Sequence, residues 1–266
     1  MDQEHRPETA TLRSGRLSAD GSLRILGVSV CALTRDRALA LLLERLSRRQ
    51  ITRVAFANSN LLMQARAASE GAAWLDDFLV LNDGVALDAA ARLLYGRTFP
   101  DNLAGTDFVP LVLSRLPPGT RVFLLGSRPG VAGNAGAVLA DRTGVTICGT
   151  RDGYGLSDGT ASEIAAAQPD VLLVALGNPL QELWLRDHAE RTGAILSFGV
   201  GALFDFLADE VPRAPVWVRN LHGEWLFRLV QEPRRLARRY TVEMTAFFLA
   251  VWRERKDRTA APPGSG

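Results

Sequence analysis

Short apolar runs alternate with amphipathic segments along most of the chain. The run at residues 171–176 is entirely apolar, which is typical of a strand buried on both faces of a parallel sheet. Leu39, Leu42 and Leu46 recur at helical spacing after Thr34, which is a favoured helix N-cap. The pattern predicts strands at residues 24–30, 52–57, 78–81, 121–125, 145–148, 171–176 and 195–200. It predicts helices at residues 35–49, 61–69, 85–95, 108–116, 131–142 and 159–168, the last capped by Asp158.

Strands that alternate with helices predict an α/β fold with a Rossmann-like parallel sheet. We expect two α/β halves, residues 22–118 and 119–211, followed by a helical appendage at residues 212–258. Residues 1–21 and 259–266 contain few large apolar side chains, so we expect them to be disordered tails.

The charge of the chain is balanced overall but unevenly distributed. The formal net charge of +2 gives no general signature of polyanion binding and predicts no nucleic-acid partner. Residues 228–258, however, contain nine Lys or Arg against four Asp or Glu. There Phe247, Phe248, Val251 and Trp252 lie between two arginine clusters, a pattern that favours a helix in a membrane interface. The alternative is a solvated C-terminal helix that docks by its apolar side.

Polar residues follow the ends of two predicted strands. Asn82-Asp83-Gly84 follows the third strand, and Asn58 follows the second. In an α/β protein such positions face the crevice in which ligands bind. Asp83 is therefore a candidate general base, with Asn58 or Asn82 to hold the carboxylate or a sugar hydroxyl. The alternative is ordinary turn chemistry, since Asp before Gly is common in turns.

Two further turns are candidates for binding a nucleotide. Gly126, Ser127 and Arg128 lie in a turn that joins a strand to a helix N-terminus, where free backbone N–H groups and the arginine charge suit a diphosphate. This turn lacks both the GxGxxG and the GxxxxGK[ST] pattern, so a plain strand–helix turn is the alternative. The motif Asp152-Gly153-Tyr154 is a candidate for a base or ribose contact, or is likewise only a turn.

A turn that begins at Gly177 follows the fully apolar strand and leads into a helix. We place Pro179 at the first helical position, where its missing N–H is tolerated. Glu182 in the first turn favours the helix dipole whatever its function. Gln181 has no such structural reason, so it is the stronger site candidate.

These motifs occur in one order along the chain, and together they resemble a known family. The sequence is Asn58, Asp83-Gly84, Gly105-Thr106-Asp107, Leu125-Gly126, Asp152-Gly153-Tyr154, Gly177-x-Pro179-x-Gln181-Glu182, Gly199-Val200-Gly201, Arg213-Ala214-Pro215, Glu224-Trp225-x-x-Arg228 and Glu232-Pro233-x-Arg235. Over about residues 23–240 the chain resembles the WecG/TagA/CpsF family of glycosyltransferases. The resemblance implies inverting transfer of a sugar from a UDP-sugar to a polyprenyl-diphosphate-linked sugar, with no metal or other cofactor. It also implies a peripheral location on the inner face of the cytoplasmic membrane, and self-association into a homo-oligomer.

The resemblance assigns roles to residues of this chain. It implies that Asp83 is the catalytic base, and we expect Asn58 and Gln181 to position the sugars. Arginines of the appendage would hold the lipid diphosphate at the membrane surface. The expected substrate-binding residues are Gly126, Ser127, Arg128, Asp152, Gly153, Tyr154, Gly177, Glu182, Arg213, Arg228, Arg234 and Arg235.

The chain departs from the common family pattern at two places. Phe56 stands where Thr is usual, and no arginine precedes Gly105. These departures resemble the exopolysaccharide branch, which includes xanthan-type glucosyltransferases, so UDP-glucose joins the N-acetylmannosamine type of donor as a candidate. Two alternatives stay open, a nicotinamide-dependent oxidoreductase and a non-catalytic membrane-docking subunit of a polysaccharide assembly complex. The missing dinucleotide fingerprint argues against the first.

Overall fold

The computed structural model describes residues 21–208 and 242–260. The strands in this part of the chain are β1 (Ser22–Ile25), β2 (Val28–Cys31), β3 (Thr52–Ala57), β4 (Phe78–Asn82), β5 (Arg121–Gly126), β6 (Thr146–Arg151), β7 (Val171–Ala175) and β8 (Leu196–Gly199). The helices are α1 (Arg35–Ser47), α2 (Ser59–Ala67), α3 (Val85–Tyr95), α4 (Gly105–Leu113), α5 (Val131–Thr143), α6 (Thr160–Ala166), α7 (Leu180–His188), α8 (Leu203–Leu207) and α9 (Met244–Ala260).

All these strands join one sheet in the order β1-β2-β4-β3-β8-β7-β5-β6. Every neighbouring pair is parallel except β1 and β2, which are antiparallel. Strands of both predicted halves therefore belong to the same sheet, joined where β3 pairs with β8. The predicted α/β, Rossmann-like fold with a C-terminal helix is confirmed.

Apolar layers cover both faces of the sheet, because alternate strand residues point to opposite sides. On β3, Val54 and Phe56 face a layer that includes α1, α4, α5 and α8. Ala55 and Ala57 face the other layer, which includes α2, α3, α7 and α9. A sheet covered on both faces leaves its carboxyl edge as the place where polar side chains converge.

The first predicted strand, residues 24–30, is wrong because the chain reverses in the middle of it. Ile25 pairs with Val28 across a tight turn in which Leu26 and Gly27 have φ of 49° and 87°. The apolar pattern continues through this turn, so periodicity alone did not reveal a hairpin.

Two predicted helix starts and one predicted cap also differ. Helix α4 begins at Gly105 rather than at residue 108, so the polar Gly-Thr-Asp stretch is helical. Pro179 occupies the N-cap of α7 rather than its first helical position. Asp158 does not cap α6; Gly159 is at that position, and the Thr160 hydroxyl accepts from the Ser157 N–H instead.

The apolar residues of α9 are divided between the core and the surface. Phe247 and Val251 are fully buried against the layer that contains α3, so these two side chains cannot face a membrane as the sequence pattern predicted. Leu249 and Trp252 remain about half exposed. The helix is tied to the hairpin by Glu254, whose Oε2 accepts from the Leu26 N–H at 2.9 Å. Within the described residues, no helix has the length and apolarity required to span a bilayer.

Candidate active site

A cleft of about 1870 Å³ lies over the carboxyl edge of the sheet. Strand β6 follows β5 on the side towards the edge of the sheet, whereas β8 follows β7 on the side towards the centre. The direction in which the chain adds strands therefore reverses between the neighbours β5 and β7. Such a reversal opens the crevice in which α/β proteins bind ligands. The predicted site residues that line the cleft are Asn58, Asp83, Ser127, Arg128, Gly153, Tyr154, Gly177 and Gln181.

Three hydrogen bonds that involve the backbone of residues 82–84 hold the turn that carries Asp83. The Asp83 N–H donates to the carbonyl of Ala57 at 2.7 Å, and the Leu103 N–H donates to the carbonyl of Asn82 at 3.1 Å. The Gly84 N–H donates to Oδ1 of Asn102 at 3.0 Å. The half-buried Asp83 side chain thus projects from a fixed backbone at the edge of the cleft.

Asn58 has a definite orientation because it caps a helix. Its Oδ1 accepts from the Leu61 N–H at 3.0 Å at the start of α2. With the oxygen engaged, the Nδ2 group is the part of this side chain that can donate to a ligand. The neighbouring Asn82 is fully buried, and neither atom of its amide has a partner within the described residues.

Phe56 places an aromatic ring in the lining of the cleft. The ring lies so close to Gly105 that a Cβ there would meet its Cδ2 at 2.8 Å. Only glycine at the start of α4 permits this approach without movement of the ring. Position 56, where the resemblance predicts a small polar side chain, therefore carries a largely buried aromatic ring two residues before Asn58.

The Gly126 turn and the Gly153 turn pack against each other. A Cβ at Gly126 would lie 2.4 Å from the carbonyl oxygen of Ala175, and its φ is +126°. The Gly153 N–H donates to the Ser127 carbonyl at 2.9 Å, and Ser127 Oγ donates to Oδ1 of Asp205 at 2.8 Å. The ends of β5, β6 and β7 are thereby locked together beside the start of α5.

A second cavity of about 430 Å³ adjoins this turn between α5 and the end of β6. Gly130, Gly133, Thr150 and Asp152 line it together with Tyr154, whose side chain is exposed. Oδ1 of Asp152 accepts from the Tyr154 N–H at 2.9 Å. In Rossmann-type β-α-β units the acidic residue after the second strand holds a ribose, which matches the place of Asp152.

Glu182, which the sequence places in the first turn of a helix as a substrate-binding candidate, is fully buried. Its Oε1 accepts from Gln181 Nε2 at 2.7 Å and from Asn178 Nδ2 at 2.8 Å. Burial raises the pKa of the carboxyl to about 7, and the hydrogen bonds from Gln181 and Asn178 oppose this rise. Gln181 is itself buried, and its Oε1 accepts from the Gly201 N–H at 3.0 Å.

Some predicted site residues are not in the described part of the chain, and some residues at the cleft were not predicted. Arg213, Arg228, Arg234 and Arg235 lie outside the described residues. Residues 21–208 and 242–260 contain no group of three or more His, Cys, Asp or Glu that could hold a metal ion. Asn102 and Asn178 were not predicted as site residues, because polar residues in loops carry no periodic signal that shows what they contact.

The fold and the cleft define an α/β protein with a candidate ligand site over the switch point of its sheet. The family model described as "Glycosyl transferase WecG/TagA/CpsF family" matches residues 23–261 of the chain. The chain therefore belongs to the WecG/TagA/CpsF family of glycosyltransferases. Membership implies a role in cell-surface polysaccharide synthesis, with a nucleotide-sugar donor and a lipid-linked acceptor.

Proposed function

We propose that this protein is an inverting, metal-independent hexosyltransferase that uses a UDP-sugar and a polyprenyl-diphosphate-linked sugar acceptor. The observation that carries the proposal is the arrangement along one cleft of Asp83 after β4, Asn58 after β3 and the Ser127 turn after β5. The product would belong to an exopolysaccharide or another cell-surface polysaccharide.

Asp83 is the proposed general base. Inversion requires the acceptor hydroxyl to attack the anomeric carbon from the side opposite the leaving diphosphate. In the sheet, β3, β8 and β7 lie between β4, which Asp83 follows, and β5, which ends at Gly126. Asp83 and the Ser127 turn line the same cleft from different sides, so a sugar held between them would turn one face to the base and the other to the diphosphate.

The leaving UDP would lie at the turn between β5 and α5. The 13-residue helix α5 begins there and presents backbone N–H groups and the positive end of its dipole. Arg128 projects from the same turn into the cleft. The smaller cavity lined by Asp152 and Tyr154 would receive the ribose and the base. Positive charge and aligned N–H groups stabilise negative charge that develops on a departing diphosphate.

The donor sugar would be glucose or another neutral hexose. The support is Phe56, a largely buried ring that lines the cleft two residues before Asn58. For the acceptor, the proposed contacts are Arg228, Arg234 and Arg235, with Trp252 and Leu249 of α9 exposed for a peripheral contact with the cytoplasmic membrane surface. Assembly as a homo-oligomer remains part of the proposal.

The test is transfer of radiolabelled sugar from UDP-glucose, UDP-N-acetylglucosamine and UDP-N-acetylmannosamine to short-chain polyprenyl-diphosphate-linked glucose and N-acetylglucosamine. Each reaction is run with EDTA and with added Mg²⁺, and the anomeric configuration of the product is determined by NMR. We expect an inverted product from UDP-glucose at equal rates in both conditions.

Three outcomes would contradict parts of the proposal. A rate that depends on Mg²⁺ would contradict the metal-independent mechanism. Transfer only from UDP-N-acetylmannosamine would show that Phe56 does not set the donor. Binding of UDP without transfer from any donor would favour a docking subunit over an enzyme.

A further inference from the structure

The buried Glu182 carboxylate controls which way two neighbouring amides point. Its Oε1 receives the Nδ2 group of Asn178 at 2.8 Å and the Nε2 group of Gln181 at 2.7 Å. A carboxylate oxygen accepts hydrogen bonds and cannot donate them. Both amides therefore turn their NH₂ groups towards Glu182 and their carbonyl oxygens away from it.

The two amide oxygens then have different uses. Oε1 of Gln181 accepts from the Gly201 N–H at 3.0 Å, so both ends of that buried amide are engaged within the protein. Asn178 is half buried and lines the large cleft. Its Oδ1 accepts no hydrogen bond within residues 21–208 and 242–260. Asn178 thus presents a fixed acceptor to the cleft, whereas Gln181 fixes the turn after β8.

The strand order places Asn178 between the proposed nucleotide site and the proposed base. Asn178 follows β7, which lies beside β5 and the Ser127 turn on one side. On the other side are β8 and β3, and after β3 comes Asn58, with Asp83 one strand further. The sugar that is transferred must occupy this interval, because it is bonded to the diphosphate and is attacked at its anomeric carbon.

We propose that Asn178 is a specificity-determining residue whose Oδ1 accepts a hydrogen bond from a hydroxyl of the transferred sugar. Glu182 is its positioning residue, because it holds the amide in the orientation that presents oxygen to the cleft. This inference rests on the proposed transferase function. An acceptor in this place selects for a hydroxyl and against a hydrogen at one carbon of the donor sugar.

The first experiment compares the wild-type protein with Asn178→Ala on UDP-glucose and on its 2-, 3-, 4- and 6-deoxy analogues. We expect one deoxy donor to have a kcat/KM roughly 10- to 100-fold below that of UDP-glucose with the wild-type protein. In Asn178→Ala the ratio of kcat/KM for UDP-glucose to kcat/KM for this deoxy donor should fall to within about 3-fold of unity. The same ratios for the other three analogues should stay as in the wild type. A merely structural role of Asn178 would lower kcat/KM for all five donors alike, and that result would overturn the inference.

The second experiment compares Glu182→Leu with Glu182→Gln, each checked by its thermal unfolding midpoint. Glutamine retains an acceptor oxygen for both amides. In Glu182→Gln the ratio of kcat/KM for UDP-glucose to that for the discriminated deoxy donor should therefore equal the wild-type ratio. Leucine retains no acceptor, so the Asn178 amide can rotate and the ratio should relax as in Asn178→Ala. If a folded Glu182→Leu variant discriminates between UDP-glucose and the deoxy donor as the wild type does, the positioning role of Glu182 is overturned. If that variant does not fold, the Asn178→Ala ratios decide whether Asn178 contacts the sugar.

Different results would overturn the transferase function and the role of Asn178. If the wild-type protein transfers no sugar from any UDP donor, the proposed function is overturned and this inference falls with it. If the wild type transfers glucose but its donor ratios do not change in Asn178→Ala, only the inference is overturned.

Discussion

Asn102 accepts a hydrogen bond from the backbone N–H of Gly84 at 3.0 Å. One residue later, the Leu103 N–H donates to the carbonyl of Asn82. The loop before α4 therefore brackets the turn that carries Asp83 from both sides. Because Gly84 has a φ of +99°, its backbone is in a region that favours glycine, and the loop keeps it there.

Removal of the Asn102 side chain should impair turnover more than stability. In Asn102→Ala the Gly84 N–H loses its acceptor, which costs about 0.5–1.5 kcal/mol, and the turn gains freedom. We expect kcat to fall about 5- to 20-fold, while the free energy of unfolding changes by less than about 1.5 kcal/mol. The matched control is Asn134→Ala on the exposed side of α5. Wild-type kcat in Asn102→Ala would contradict the role of the loop.

Replacement of Asp83 tests the proposed base directly. Asp83→Asn keeps the size of the side chain but cannot accept the acceptor's proton, so kcat should fall by about 10²- to 10⁴-fold. The affinity for UDP, measured by calorimetry, should stay within a few-fold of the wild type. Asp141→Asn, which alters an exposed carboxylate on α5, is the control. Turnover within 5-fold of the wild type in Asp83→Asn would remove Asp83 from this role.

The buried Glu182 should make stability depend on pH. Its pKa rises from 4.5 to about 7 on folding, so below pH 4.5 the group is protonated in both states and has no effect. Between pH 4.5 and 7 the unfolded state loses its proton first, which favours unfolding. Relative to Glu182→Gln, the wild type should lose about 3 kcal/mol of unfolding free energy across this window. Urea unfolding of both proteins at pH 5 and pH 8 measures the difference; a constant difference would contradict the prediction.

Two aromatic residues of α9 should respond in opposite ways to removal. Phe247→Ala empties a fully buried position and should lower the free energy of unfolding by about 3–5 kcal/mol. Trp252→Ala changes an exposed ring stacked under Lys256 and should leave stability within about 0.5 kcal/mol.

The same Trp252 variant tests the membrane contact. In Trp252→Ala we expect binding to phosphatidylglycerol vesicles to weaken roughly 5- to 10-fold, because an aromatic side chain no longer enters the interface. Binding equal to that of the wild type would show that this face of α9 does not contact lipid. Urea unfolding and vesicle co-sedimentation together separate the core residue from the surface residue.

Much of the candidate site could be predicted because it depends on local pattern and on one geometric rule. Asp83, Asn58 and Ser127 each follow an apolar run, and the carboxyl ends of parallel strands meet at the same edge. The structure brings all three to one cleft. Gln181 was also expected there, but its hydrogen bonds to Glu182 and Gly201 could not be predicted, because the partners are set by the packing of α7 against β8.

By itself, the sequence determined the order of the strands and helices between β3 and β8, the α/β class and the strand-end positions of Asp83 and Asn58. These features follow from hydrophobic periodicity and turn chemistry, which act over a few residues. Only the tertiary structure decided that residues 24–30 form a hairpin, that Glu182 is buried, that Asn102 holds the Gly84 turn and that Phe247 belongs to the core. Each of these depends on contacts between parts of the chain that periodicity does not connect, or on a turn that interrupts an apolar run without changing its pattern.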